Sequence, residues 1–468
     1  MSDVVPLELQ LARLRGARID GSIGRYASES VPLPLTDLGF SFPVMSKFPT
    51  QQQLENAFIP AKEIDDATRF AGRVEQVEAV HLALLAEGAN LAIVGNRGIG
   101  KSSLARQLIA MASGKAHLLD RLNVRYDSEH DFLTIYFACG DHTKSLNDLL
   151  SSLLTNDECL ARWAYYVPQA KTELDSLSPK LNVGIAALES GSSMSRHGTA
   201  AVKEHDLQTI FTNVVNAITK QGLVRDGILL VVDEFDQIND PSGFASFLKS
   251  LATNAPKVRF CVVGVAHDLR ELMKEHASAD RLFASGIVHL PPMSDKELVE
   301  IISLSERYVD DAVLFHVEAK SHLAELAQGH PYMVHLIGKY ALRAAFASGK
   351  TVIEKQDIEN TLRVMAEKQT DPHLEGRYKA AVKSSPQRES VLRAMASATR
   401  NGEVWTSDAY KIAIDDGVEN ASQYVGNLVS DQFGSELVKV SERYYRFRDS
   451  LFRAYVMARP RQFLVEES

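Results

Sequence analysis

A short apolar run, Leu91-Ala92-Ile93-Val94, leads into Gly95-Asn96-Arg97-Gly98-Ile99-Gly100-Lys101-Ser102-Ser103, after which the apolar spacing turns helical. This G-x-x-x-x-G-K-[ST] pattern between a strand and a helix constrains the fold more than any other part of the chain. Its glycines let the loop wrap tightly, so that backbone N–H groups point inward at the start of the helix, where the helix dipole also favours an anion. Such a loop holds the phosphates of a nucleotide. Lys101 neutralises β- and γ-phosphate charge, the Ser102 hydroxyl serves as a ligand for Mg²⁺, and Ser103 closes the nucleotide-binding set.

The surrounding pattern agrees. Further apolar runs of strand length lie at Leu133–Ala138, Ile228–Val232, Val258–Gly264 and Gly286–Leu290, with helical patterns between them. That alternation predicts a parallel sheet covered on both faces, because parallel strands need crossover connections. The run Ile228-Leu229-Leu230-Val231-Val232 ends in Asp233-Glu234. Asp233, at the carboxyl end of its strand, is suited to hold Mg²⁺ through water, and Glu234 to polarise an attacking water as general base. The plain alternative is a strand that ends in two solvated acids. With the phosphate loop upstream, the expected ligands are ATP and Mg²⁺.

A chain of 468 residues is too long for one core and divides into domains. Its 45% apolar and 24% charged residues are those of a globular protein. With 51 basic against 60 acidic residues it is mildly acidic, so any contact with nucleic acid must be local. Cys139, Cys159 and Cys261 lack the spacing of a zinc site or disulfide framework, which fits a reducing cytoplasm. No apolar run approaches the roughly 20 residues that span a bilayer, and no signal pattern opens the chain. The expected location is cytoplasmic.

Four regions follow. Residues 1–65 carry Pro32, Pro34, Pro43, Pro49 and Pro60 and read as an arm, either packed on the body or partly disordered. Residues 66–292 form the nucleotide-binding core. Their insertion at 141–226 has a helix over 144–155, then KLNVGIAALESGSSMSRHG, a hairpin or mobile loop. Residues 293–370 read as an all-helical lid. Residues 385–460 read as three helices and a two-stranded wing, the winged-helix order.

Taken in order, Phe70-x-Gly72-Arg73, the phosphate loop, the Asp233-Glu234 strand, VRFCVVGVAHDL and GHPYMVHLIG make the chain resemble an AAA+ ATPase over roughly residues 66–460. It is similar to origin-recognition-type initiators and to the STAND-like ATPases of prokaryotes. The resemblance implies an α/β P-loop NTPase core of AAA+ type, a helical lid and a winged-helix domain. It implies that Phe70, Gly72 and Arg73 lie beside the adenine. It puts His267 where a polar sensor touches the γ-phosphate or catalytic water, although a capping or surface histidine is equally open. Arg281 falls where a neighbouring subunit's arginine finger acts, the alternative being a surface arginine paired with Asp280 or Glu275. Gly329-His330-Pro331-Tyr332 replaces the usual G-D-x-R, and this Gly-x-Pro form implies that Pro331 packs near the adenine of a nucleotide-gated switch.

The candidate recognition helix, Asn420 to Phe433, contains no Lys or Arg. The wing differs: Lys439, Arg443, Arg446 and Arg448 alternate with Tyr444, Tyr445 and Phe447, which suits either DNA contact or a solvated strand face over core aromatics. The leading function is an ATP-hydrolysing, Mg²⁺-dependent switch, active as an oligomer. One alternative is an ATP-controlled DNA-binding initiator or loader. The other is a nucleotide-binding scaffold with little hydrolysis that recruits a protein partner. All three predict that Lys101→Ala weakens nucleotide binding; unchanged affinity in a direct titration with ATP would remove their common premise.

Overall fold

Five strands each place successive apolar side chains on opposite faces. In the computed structural model, which describes residues 49–86, 88–176, 204–265, 286–463 and Phe283, these strands form one parallel sheet. Along the chain the elements are α1 (Gln51–Ala57), α2 (Val74–Leu85), β1 (Leu91–Gly95), α3 (Lys101–Ala112), α4 (His117–Leu122) and β2 (Phe132–Ala138). Then come α5 (Leu146–Thr155), α6 (Leu160–Ala164), α7 (Pro168–Asp175), α8 (Glu204–Lys220), β3 (Gly227–Asp233), α9 (Phe244–Asn254), β4 (Val258–Gly264) and β5 (Ile287–Leu290). The strand order is β2-β3-β4-β1-β5, so β4 lies between the strand of the phosphate loop and the strand of the paired acids.

Both faces of the sheet are covered. Ala92, Val94, Leu230, Val232 and Val262 pack under α5, α8 and α9, while Leu91, Ile93, Leu229, Val231 and Val263 pack under α2, α3 and α4. This is why the strands read as continuous apolar runs rather than as alternating ones. All seven residues of β3 and of β4 are buried. The α/β P-loop core expected from the sequence is the fold found.

The insertion is built differently from its sequence reading. The helix expected over 144–155 is α5, opened by a capping box in which Ser145 and Asp148 exchange hydrogen bonds. Three further helices, α6, α7 and α8, pack with it. The stretch KLNVGIAALESGSSMSRHG lies outside the described residues.

The lid comprises α10 (Asp295–Tyr308), β6 (Leu314–Phe315), α11 (Val317–Ala327), α12 (Pro331–Ala347), β7 (Val352–Ile353), α13 (Lys355–Lys368) and α14 (Pro372–Val382). It is not wholly helical: β6 and β7 pair in parallel and pin the ends of α10 and α12 together. Helix α1 packs on this lid, with Phe58 fully buried against Phe315 and His335. The last region contains α15 (Pro386–Ala398), β8 (Val404–Trp405), α16 (Thr406–Asp415), α17 (Ala421–Val429), β9 (Leu437–Ser441), β10 (Tyr444–Phe447) and α18 (Ser450–Ala458). Its sheet has three strands, β8-β10-β9, where the sequence reading has two, because Val404 and Trp405 pair with Tyr445 and Tyr444. A fourth helix, α18, follows.

Lid and C-terminal region share one continuous apolar core. Within it, fully buried Glu375 on α14 accepts hydrogen bonds from Nε and Nη2 of Arg459, both 2.9 Å, and from the Tyr455 hydroxyl at 2.7 Å. Burial works to raise its pKa, but these partners outweigh that effect and hold it below the usual glutamate value. Glu375→Gln keeps the shape and strands a buried guanidinium, which costs about 3–5 kcal/mol. Urea unfolding followed through Trp405 fluorescence measures that loss.

Candidate nucleotide-binding site

The phosphate loop runs from the end of β1 to the first turn of α3. Gly98 and Gly100 have φ of +70° and +98°, a left-handed conformation that a side chain resists, and they turn the chain back so that Lys101 opens the helix. Half-buried Lys101 donates from Nζ to the Asn96 carbonyl at 3.1 Å, which closes the loop on itself. Burial lowers its pKa, and the nearby carboxylates of Asp236 and Asp233 oppose that shift. The loop therefore presents a cation already facing acids across the end of the sheet.

Those acids come from β3 and the turn after it. Asp233 is 2% exposed; its Oδ1 accepts from the Glu234 N–H at 2.7 Å and its Oδ2 from the Tyr136 hydroxyl at 2.8 Å. Glu234 has φ of +53°, a left-handed conformation rare outside glycine, and its exposed side chain leaves the strand direction. Burial of the carboxyl, then the charges of Asp233 and Asp236, raise its pKa. Asp236 escaped the sequence reading, although it stands only three residues after Asp233.

A cavity of about 280 Å³ adjoins the loop, of a size near the lower end for small-ligand pockets. Around it the structure brings together Phe70, Arg73, Gly98, Ile99, Gly100, Lys101, Ser102, Ser103 and Pro331. Gly95, Asn96 and Arg97 form the entry to the loop, and Gly72 lies behind it, where an added β-carbon would be 2.5 Å from Glu297. Pro331 faces Gly100, with Cγ 3.8 Å from where a β-carbon would lie. Ser103 is engaged elsewhere: its Oγ accepts from the Ile64 N–H at 3.0 Å. One wall was missed in the sequence. Residues 59–64, read as part of the arm, line the cavity, held by Ser103, by Gln107 on the Ile64 carbonyl at 3.0 Å and by the Arg106–Glu63 ion pair.

Arg73 braces the loop from behind. Buried at 4% exposure, it donates from Nη1 to the Pro291 carbonyl at 2.7 Å and from Nη2 to the Ile99 carbonyl at 3.0 Å. The backbone N–H groups of Gly72 and Arg73 reach Glu300 and Glu297 of α10. The C-terminal region also touches the loop: a β-carbon on Gly98 would be 3.0 Å from Leu451 of α18 and 3.3 Å from Tyr332 of the lid.

Residues 60–328 match the family model described as Novel STAND NTPase 1. The chain belongs to that family. No curated protein sequence matches it. Among solved structures, this STAND NTPase is similar to the Walker-type ATPase PABY2304 of Pyrococcus abyssi, at 15% identity and a TM-score of 0.46, covering 86% of this chain and 99% of that one. It is also similar to the Aeropyrum pernix ORC2 protein, at 13% identity and 0.44, covering 88% and 98%. A structure of Drosophila ORC bound to DNA shares 14% identity at 0.41, covering 97% and 100%.

In this STAND NTPase, His267 and Arg281 lie outside the described residues. Lys439, Arg443, Arg446 and Arg448 are all exposed on and around β9 and β10, and the structure does not bring them to the nucleotide cavity. Among the described residues no helix is long and apolar enough to cross a membrane, and no His/Cys/Asp/Glu cluster of three could hold a metal. What Ser102 and Asp233 offer instead is hydroxyl and carboxylate oxygen, the hard donors that Mg²⁺ takes together with phosphate oxygens and water.

Three buried histidines give the body a pH dependence. Burial pushes His130 and His330 down to about 4 and His335 down to about 3. Between pH 6.5 and 4 the unfolded chain binds protons that the folded chain refuses, so their contribution is complete above 6.5 and is lost as pH falls. The melting temperature is expected to drop steadily from pH 7 to pH 5 in calorimetry; a flat profile would contradict neutral burial of these rings.

Proposed function

We propose that the protein is a Mg²⁺-dependent ATP hydrolase working as a nucleotide-gated switch, with its lid and C-terminal region as the moving parts. The observation that carries this reading is the pair of contacts at Gly98, where Leu451 of α18 and Tyr332 of the lid meet on one residue of the phosphate loop. A nucleotide that reshapes this loop must displace or tighten both contacts, and so acts on two regions at once.

The residues have the chemistry for hydrolysis. The backbone N–H groups of the loop and Lys101 hold the β- and γ-phosphates, and Ser102 and Asp233 would hold Mg²⁺. When bound, Mg²⁺ offsets charge on the phosphate oxygens. Glu234 takes a proton from the attacking water, and its raised pKa suits a base that must also release that proton. Phe70 and Pro331 flank the base, and residues 59–64 wall it in. His267 as sensor and Arg281 as the finger offered to a neighbouring copy complete the reading, with an oligomer as the active state in the cytoplasm.

A winged-helix role for the C-terminal region belongs to the same proposal. The alternative of an ATP-controlled DNA-binding initiator is favoured by exposed Lys439, Arg443 and Arg446 beside Trp405 and Tyr444, 41% and 42% exposed. Turnover by the purified protein, measured over protein concentration with and without duplex DNA, separates these readings. Specific activity that climbs with concentration supports the oligomeric switch, stimulation by DNA supports the initiator, and tight binding without turnover leaves the scaffold. In the hydrolase, Glu234→Gln retains ATP and lowers turnover by roughly 10²–10⁴-fold. Wild-type turnover falls as pH drops through a midpoint above the ordinary glutamate value, since only ionised Glu234 accepts the proton. An acid limb at the same pH in Glu234→Gln would assign it to another group.

A further inference from the structure

Three residues on successive turns of α3 face residues 59–64: Ser103, Arg106 and Gln107. Arg106 alone has a second engagement. One side of its guanidinium pairs with Glu63 at 2.6 Å, and its carbon lies 3.5 Å from the centroid of the Tyr136 ring. The hydroxyl of that same ring donates to Asp233 Oδ2 at 2.8 Å. A continuous chain of contacts thus runs from the cavity wall, through the phosphate-loop helix and β2, to the carboxylate at the end of β3.

We propose that Tyr136 is a positioning residue for the Mg²⁺-holding carboxylate of Asp233, and that the Glu63–Arg106 pair makes this positioning depend on where residues 59–64 sit. The proposal rests on the Mg²⁺–ATP reading given above. Asp233 has two oxygens and one donor on each, the Glu234 N–H and the Tyr136 hydroxyl. Together they fix the plane of the carboxylate and leave each oxygen with a lone pair for water or metal. Without the hydroxyl, one bond remains and the carboxylate is free to turn about it. Burial and the charge of Asp233 push the Tyr136 pKa upward, so the phenol keeps its proton and remains a donor across the working range. The guanidinium stacked on the ring holds the hydroxyl at the height of Asp233, and Glu63 keeps that guanidinium in register with the cavity wall. A wall that moves when nucleotide enters or leaves thereby reaches the metal site without touching it.

The test follows Mg²⁺ rather than turnover. A fluorescent ribose-labelled ATP is bound to the full chain in EDTA, and Mg²⁺ is titrated in while fluorescence is read. Tyr136→Phe keeps the ring under Arg106 and removes only the hydroxyl. It is expected to raise the Mg²⁺ concentration at half-change by about tenfold, the scale of losing a partner that orients a metal ligand, with nucleotide affinity in EDTA unchanged. Glu63→Gln, which leaves Tyr136 and Asp233 intact, is expected to shift the same midpoint in the same direction by a smaller factor. An unmoved midpoint in Tyr136→Phe overturns the positioning role; a shift there with none in Glu63→Gln overturns the link to the wall. A wild-type titration that shows no Mg²⁺ step, or a step that survives Asp233→Asn, overturns the underlying Mg²⁺–ATP reading as well.

Discussion

The nucleotide cavity exists because one buried guanidinium holds three separate pieces of chain in register. Arg73 spans from the Ile99 carbonyl in the phosphate loop to the Pro291 carbonyl at the end of the sheet, while its own N–H and that of Gly72 are received by Glu297 and Glu300 of the lid. Burying a guanidinium is costly unless its hydrogen bonds are made. Here they are made to carbonyls that the loop and the core–lid junction leave exposed, so the charge fixes the angle between core and lid. Lid residues Pro331 and Tyr332 reach the loop in consequence.

A second constraint lies across the end of the sheet. Because β4 intervenes between β1 and β3, the loop cation and the paired acids face each other over a gap rather than pairing as neighbours. Asp233, Glu234 and Asp236 form an acidic rim, Lys101 and Arg97 a basic one, and their fields appear in the shifted pKa values of Lys101 and Glu234. That separation suits a polyphosphate with its metal better than it suits a closed ion pair, which would have to be broken before anything could bind.

Much of this was legible from residue order. The loop, the acid strand and the five apolar runs follow from local rules, since buried parallel strands must be apolar throughout and a phosphate loop must carry glycine where φ turns positive. The structure starts β2 and β3 one residue earlier than the apolar runs do. Phe70, Arg73 and Pro331 were selected by resemblance, and they line one cavity. The same rules were blind to residues 59–64, whose prolines and charges read as an arm, and to Tyr136, which looks like any aromatic in a strand until its partner across the sheet is known. They also missed β8, because two residues are too few for a pattern, and α18, whose apolar face matches the rest of a core rather than a neighbour in sequence.

What the sequence determined by itself is the engine: a nucleotide-binding α/β core, with Lys101, Ser102, Asp233 and Glu234 in their places, because those places are set by a few bonds along one strand and the turn that follows. What only the tertiary structure decided is how that engine is connected. The contact of Leu451 with Gly98, the brace of Arg73 and the path from Glu63 through Arg106 and Tyr136 to Asp233 join residues tens to hundreds of positions apart. Such pairings depend on how layers and domains pack, and periodicity or spacing within a short window carries no information about them.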